Sequence, residues 1–203
     1  VATEVFITTT LLLERLKDSR DTRAWEMFDQ RFRGVITATA AKLGLAEADA
    51  ADAAQETILQ ALRDYQAGKY DRSKGRLSTW IIAIAHHRIV DAMRKRRRER
   101  DLAAGSRAGA DQDPSTGDVA AVFDQALERR IFEQAWEKIQ AESKLAHETL
   151  LAFELSALRQ VPAAQVAARC GMSVDQVYVA KNRVSRRLQE MVEELSRAFR
   201  DGL

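Results

Sequence analysis

The chain has 203 residues, 46% of them hydrophobic, with 32 basic and 30 acidic side chains, a formal net charge of +2 and one cysteine. That length fits one or two domains, and the apolar fraction is enough to bury real cores. One cysteine excludes an internal disulfide framework, and no stretch approaches the roughly 20 apolar residues of a membrane span.

Cys170 reads as a small helix-packing residue and fits a reducing cytoplasm, the expected location. The start, VATEVFITTTLLLERLKD, lacks a basic n-region and a small-residue cleavage site, so no signal peptide is expected. Two prolines, nine glycines and no run of alternating strand-like segments point to an all-α chain. Charge is unevenly spread: positions 1–100 carry 19 basic and 14 acidic groups, 101–122 carry one and four, and 123–203 carry 12 and 12. Local clusters therefore matter more than the total, because attraction to a phosphate is screened within about 10 Å.

The periodicity predicts four helices before a linker. The first spans about 10–17, with Leu11, Leu12, Leu13 and Leu16 as its apolar set. The second spans about 21–43, where Trp25, Phe28, Phe32, Val35 and Ile36 recur at helical spacing and Gly44 stands at the C-cap. The third spans about 47–67 and ends near Gly68, with Ala51, Ala54, Ile58, Leu59 and Leu62 expected inward. The fourth spans about 77–100, with Leu77, Trp80, Ile81, Ile84 and Ala85 on one apolar face. The segment 101–122, DLAAGSRAGADQDPSTGDVAAV, has no apolar period and reads as a flexible linker. Four more helices are expected after it: about 122–141, about 144–159, a short one after Pro162 to about Arg169, and about 174–199. The expected organisation is two small helical domains, 1–100 and 123–203, joined by 101–122.

Three segments carry chemistry. Arg94, Lys95, Arg96, Arg97, Arg98 and Arg100 place six cations in seven positions. Cations favour a helix C-terminus, but six in seven exceeds capping, and a polyanion would relieve their repulsion. The loop YDRSKGR, 70–76, holds a glycine and several donors and reads either as a connector or as a pocket for an extruded base. Residues 165–188 have helix-turn-helix logic: a short helix, the turn Gly171-Met172-Ser173 with Ser173 as N-cap, then a helix whose Val177, Ala180, Val184, Leu188, Met191 and Leu195 form one stripe. The opposite side shows Arg and Asn, the side chains suited to bidentate base contacts. Adjacent His86 and His87 point about 100° apart on a helix and cannot easily share an ion. No nucleophile–base pair, glycine-rich phosphate loop or paired-carboxylate motif is recognisable. The chain is expected to have no catalytic residues, no metal and no cofactor.

These pieces, in this order, resemble an extracytoplasmic-function sigma factor of bacterial RNA polymerase. The acidic D-x-x-D-x-x-Q-E pattern of that family stands as Asp49, Asp52, Gln55 and Glu56. The Y-D…G…T-W-L…I-A…D-x-x-R pattern stands as Tyr70, Asp71, Gly75, Thr79, Trp80, Ile81, Ile84, Ala85, Asp91 and Arg94. The E-I-A…L-G-x-S…V…R…L pattern stands as Gln165, Val166, Ala167, Cys170, Gly171, Ser173, Val177, Arg183 and Leu188. The wording GMSVDQVYVAKNRV is similar to planctomycete-type members. Departures are His87 where many members have Asn, Ile58 and Leu77 at frequent Phe positions, Gln165 for Glu, and Lys181 for an apolar residue.

The resemblance implies a region 2 domain before the linker and a region 4 domain after it. Asp49, Asp52, Gln55 and Glu56 would dock on the clamp coiled coil of core RNA polymerase. Tyr70, Asp71, Arg72, Ser73, Lys74, Gly75, Arg76, Thr79, Trp80, His87, Asp91, Arg94 and Lys95 would read and melt the −10 element. Ser173, Asp175, Gln176, Tyr178, Val179, Asn182, Arg183 and Arg186 would hold the −35 element, with the same domain touching the polymerase flap. Promoter DNA and an anti-sigma factor are the further partners so implied, with no membrane insertion. A stand-alone helix-turn-helix regulator, binding its operator without polymerase, is the alternative reading.

Overall fold

The computed structural model describes residues 9–18, 20–105, 112–142 and 144–200. Among them the order is α1 (Thr9–Leu16), α2 (Thr22–Lys42), α3 (Glu47–Gln66), α4 (Leu77–Ala104), α5 (Thr116–Glu142), α6 (His147–Phe153), α7 (Ala163–Cys170) and α8 (Val174–Arg200). No strand occurs among the described residues, as the all-α reading requires.

The helix ends follow local chemistry. Asp21 caps α2 by accepting from the Ala24 N–H at 2.9 Å while holding Arg15 at 2.8 Å. The Arg15 hydrogen bond, then the Ala24 one, holds its carboxyl below the usual carboxylate range. At the other end Gly44 takes φ +103°, which only glycine adopts at no cost. There the Gly44 N–H reaches Ala41 O at 3.0 Å and the Leu45 N–H reaches Ala40 O at 3.1 Å, which closes α2 in a Schellman motif.

The chain divides into two units: Val1–Arg130 with Arg197–Leu203, and Ile131–Ser196. In the first, α3 packs on α2 and α4, burying Phe28, Val35, Ile36, Ala54, Ile81 and Ile89. Arg31 is buried in the same unit. Its Nη2 donates to Ala198 O at 2.8 Å and its guanidinium lies 4.2 Å from the Phe199 ring centroid. Burial pushes Arg31 down to about 10, so it stays charged at neutral pH. In the second unit Ala152, Leu155, Val166, Ala167, Val177 and Ala180 share one core under α6, α7 and the start of α8.

Several sequence expectations need correction. Ala51 and Leu59 point outward, Leu59 being 41% exposed, while Ala50, Ala53, Thr57 and Ala61 are the buried partners of Ala54 and Ile58. Thr57 escaped a hydropathy reading because its hydroxyl is satisfied internally, donating to Ala53 O at 2.7 Å. The linker is shorter than 101–122: α4 continues to Ala104 and α5 begins at Thr116. Residues 106–111 of it lie outside the described residues. Val119 and Phe123 are fully buried in the first unit's core, so the first turns of α5 belong there. The helix expected over about 144–159 begins at His147 and changes at Glu154 into a π-type turn, where the Arg159 N–H bonds Glu154 O at 3.0 Å.

Candidate nucleic-acid interface

α3 and α4 lie side by side and between them form a groove lined by Asp49, Asp52 and Glu56 on one wall and Arg88, Asp91, Lys95, Arg96 and Arg98 on the other. Asp52 and Glu56 are exposed. Asp49 is half-buried and receives Arg96 at 3.3 Å. Gln55 is exposed on the same helix but does not line this groove. The acidic set is thus split: three carboxylates on one wall, the amide off it.

The loop before α4 is held by its own side chains. Asp71 accepts from the Ser73 N–H at 2.9 Å and the Ser73 hydroxyl at 2.7 Å, which shapes the 3-10 turn Arg72–Lys74. Those bonds lower the Asp71 carboxyl. The Tyr70 hydroxyl donates to Gly75 O at 3.2 Å. Asp71 and Ser73 are therefore shaping groups, whereas Arg72, Lys74 and Arg76 are exposed cations. Trp80 is half-buried, packs on the core and lies 5.1 Å from the Tyr70 ring.

Tyr65 extends this aromatic row, stacked on Tyr70 at 6.1 Å and 29°. Its hydroxyl donates to Leu13 O at 2.6 Å. Burial raises the hydroxyl pKa of both tyrosines, so both remain neutral donors. Beside the row lies a cleft of about 680 Å³ lined by Leu13, Glu14, Lys17, Tyr65, Tyr70 and Arg72. The motif reading missed Tyr65 and α1 here. The signal was the spacing of Tyr65, Tyr70 and Trp80 across a glycine turn.

Along α4, Thr79, His87, Asp91, Arg94 and Lys95 are all exposed. His86 turns the other way, its Nε2 3.1 Å from Pro114 O; a carbonyl only accepts, so this nitrogen carries the proton. Arg94 Nε donates to Asp113 Oδ2 at 2.9 Å and Arg97 Nη2 to Asp113 Oδ1 at 3.3 Å. The Arg94 hydrogen bond, with the two nearby positive charges, lowers the Asp113 carboxyl, which stays ionised at neutral pH.

In the second unit, Gly171 takes φ +64° between α7 and α8, and the Met172 N–H closes α7 on Ala167 O at 3.0 Å. Ser173 and Gln176 form a capping box: the Gln176 N–H reaches Ser173 Oγ at 3.1 Å and the Ser173 N–H reaches Gln176 Oε1 at 2.7 Å. Gln176 is therefore committed to the cap. Val177, Ala180, Val184, Leu188, Met191 and Leu195 are buried as the stripe requires. Asp175, Asn182, Arg183 and Arg186 are exposed beside Tyr178 and Val179, which are 55% and 60% exposed.

The family-model match falls on the first unit. Residues 28–99, which span most of α2, all of α3 and α4 to Glu99, match the family model of sigma-70 region 2. Over 110 residues the chain is 29% identical to the ECF RNA polymerase sigma factor RpoE of Cereibacter sphaeroides, a match covering 53% of this chain and 58% of that protein. The chain thus spans less than two thirds of the length of that curated relative.

Proposed function

We propose that this chain is a noncatalytic sigma factor of the extracytoplasmic-function type, which binds core RNA polymerase in the cytoplasm and directs initiation at particular promoters. One observation carries the reading: the sigma-70 region 2 match falls on α2, α3 and α4, the helices that hold an acidic wall and a basic helix end together. Asp49, Asp52 and Glu56, with Gln55 beside them, face the clamp coiled coil. The loop 70–76, Thr79, Trp80, His87, Asp91, Arg94 and Lys95 engage the −10 element. Flipping a base costs a few kcal/mol, so melting is completed with the polymerase in place. The second unit takes the −35 element on Tyr178, Val179, Asn182, Arg183 and Arg186, with the Ser173–Gln176 cap setting the helix start, and it meets the polymerase flap. An anti-sigma factor belongs to the same proposal, and the planctomycete-type assignment rests on 171–184 alone.

The test adds this chain to core polymerase and a promoter library and measures new transcripts. Initiation that depends on the chain is expected, and Asp52→Arg with Glu56→Arg abolishes it by blocking capture of the core. Sequence-specific DNA binding without core, together with no new initiation, would instead identify a stand-alone regulator.

A further inference from the structure

Asp113 lies 19 residues after Arg94 and 16 after Arg97, yet its two oxygens reach one guanidinium each. The carboxylate sits between two arginines one helical turn apart, the arrangement a phosphodiester meets when two side chains grip its two free oxygens. The pair is sheltered: the Arg97 and Asp113 side chains keep only 22% and 25% of their exposure. The same segment is tied down a second time by His86 on Pro114 O. It is then fixed at the start of α5, where Asp118 accepts from the Ser115 N–H at 2.9 Å and the Ser115 hydroxyl at 2.7 Å. Next to the cradle, Arg96, Arg97 and Arg100 line a cleft of about 530 Å³ that also touches Gly44 and Gln112. A basic cleft thus continues from the point where Asp113 sits.

We propose that Arg94 and Arg97 form a phosphate cradle for the nucleic-acid backbone and that Asp113 is its internal occupant, displaced when DNA binds. This rests on the reading of α4 as DNA-facing and adds a cost to it. A tethered carboxylate competes at an effective concentration of order millimolar, so the chain alone holds nucleic acid more weakly than its cation count implies. Sequence-independent binding follows the phosphates neutralised, and a carboxylate already in place removes one from that count.

The experiment uses the full chain with a fluorescent mixed-sequence 12-nucleotide single strand and the matching duplex, at about 0.1 M salt. Asp113→Asn is expected to tighten binding about three- to fivefold, the upper part of the range for an incompletely buried ion pair. Asp124→Asn changes net charge equally at an exposed site and is expected to leave binding within about twofold. Adding Arg97→Gln should erase most of the Asp113→Asn gain. In the wild-type chain, saturating single strand should speed hydrogen exchange at 112–116. Equal gains from Asp113→Asn and Asp124→Asn, or exchange at 112–116 unchanged or slowed by DNA, would overturn the proposal. Promoter-dependent transcription with core polymerase separates the two ideas. If it persists while Asp113→Asn has no effect on binding, the cradle occupant fails alone; if Asp113→Asn tightens binding and no initiation occurs, the sigma reading fails alone.

Discussion

α4 and α8 both carry exposed arginines toward solvent, but their counter-ions come from different places. On α4, Arg94 and Arg97 meet Asp113 and Arg96 meets Asp49, residues 16 to 47 positions away in the chain. On α8, Arg186 and Arg187 meet Glu190 of the same helix and no other acid among the described residues. Asn182 and Arg183 have no side-chain partner among the described residues. Binding an anion at Arg94, Arg96 or Arg97 is therefore an exchange with an acid from elsewhere in the fold, whereas at Asn182 and Arg183 it is an addition and at Arg186 an exchange within one helix. The exchange on α4 depends on tertiary structure, because the competing acids are placed by the fold. Addition needs only a helix with its apolar stripe buried.

The largest expected effect breaks that dependence directly. Phe28 is almost fully buried where α2 meets its neighbours. Phe28→Ala should cost about 3–5 kcal/mol, transfer and cavity terms together. Urea unfolding followed by circular dichroism, with hydrogen exchange read helix by helix, checks it. Protection should fall across α2, α3 and α4 and persist at the start of α8. Equal loss at α7 and α8 would mean that the two surfaces stand on one cooperative structure and the contrast does not hold.

Next in size are the arginines themselves. Arg183→Ala is expected to cost about 1–3 kcal/mol at one base position of the upstream element. Arg94→Ala should weaken all sequences alike and lower the salt slope by up to about one. A promoter library read at several salt concentrations distinguishes the two. Uniform weakening by Arg183→Ala would move it from base reading to phosphate contact.

Much of this was legible in the sequence. Most helix ends lie within a residue or so of where the sequence puts them, because caps and glycines mark them locally: Asp21, Gly44, Gly171 and Ser173 act within a few residues. The exceptions have no such marker: α4 runs on to Ala104, α5 starts at Thr116 rather than about 122, and the helix expected over about 144–159 starts at His147 and changes at Glu154. The α8 stripe was legible because six apolar residues repeat on one side against charged neighbours. The α3 face was misjudged because alanines stand on both its buried and its exposed side, Ala50, Ala53, Ala54 and Ala61 inward and Ala51 outward, and because buried Thr57 hides its polarity in a backbone hydrogen bond. The Asp113 contact was illegible for another reason. A Gly- and Asp-rich segment carries no period, and its docking on Arg94 and Arg97 depends on where the end of α4 and the start of α5 lie in space.

A smaller effect tests how far the α8 surface depends on its local cap alone. Ser173→Ala should cost about 1 kcal/mol, since the Gln176 N–H loses its acceptor. The loss should appear as faster hydrogen exchange at 174–177 with no change at α4. Replacement by Asp should restore it, because a carboxylate accepts the same bond and suits a helix N-terminus.

The smallest effect has the opposite sign. Gly34 lies inside α2 with ordinary helical backbone, and a Cβ built on it meets nothing within 4 Å. Glycine in a helix interior is about 0.8–1 kcal/mol worse than alanine, largely because the unfolded chain has more freedom to lose. Gly34→Ala should therefore stabilise the first unit by that amount and leave oligonucleotide binding unchanged. Gly171→Ala is chemically the same exchange with equal room around it, but φ is +64° there. An L-residue held in that region costs roughly 1–2 kcal/mol, so the second unit should lose stability. Paired thermal melts of the two variants, with exchange assigning each shift to α2 or to the α7–α8 turn, check the sign. If both substitutions move stability the same way, local backbone conformation is not what distinguishes these two positions, and the helix-turn-helix geometry read over 165–188 would need another origin.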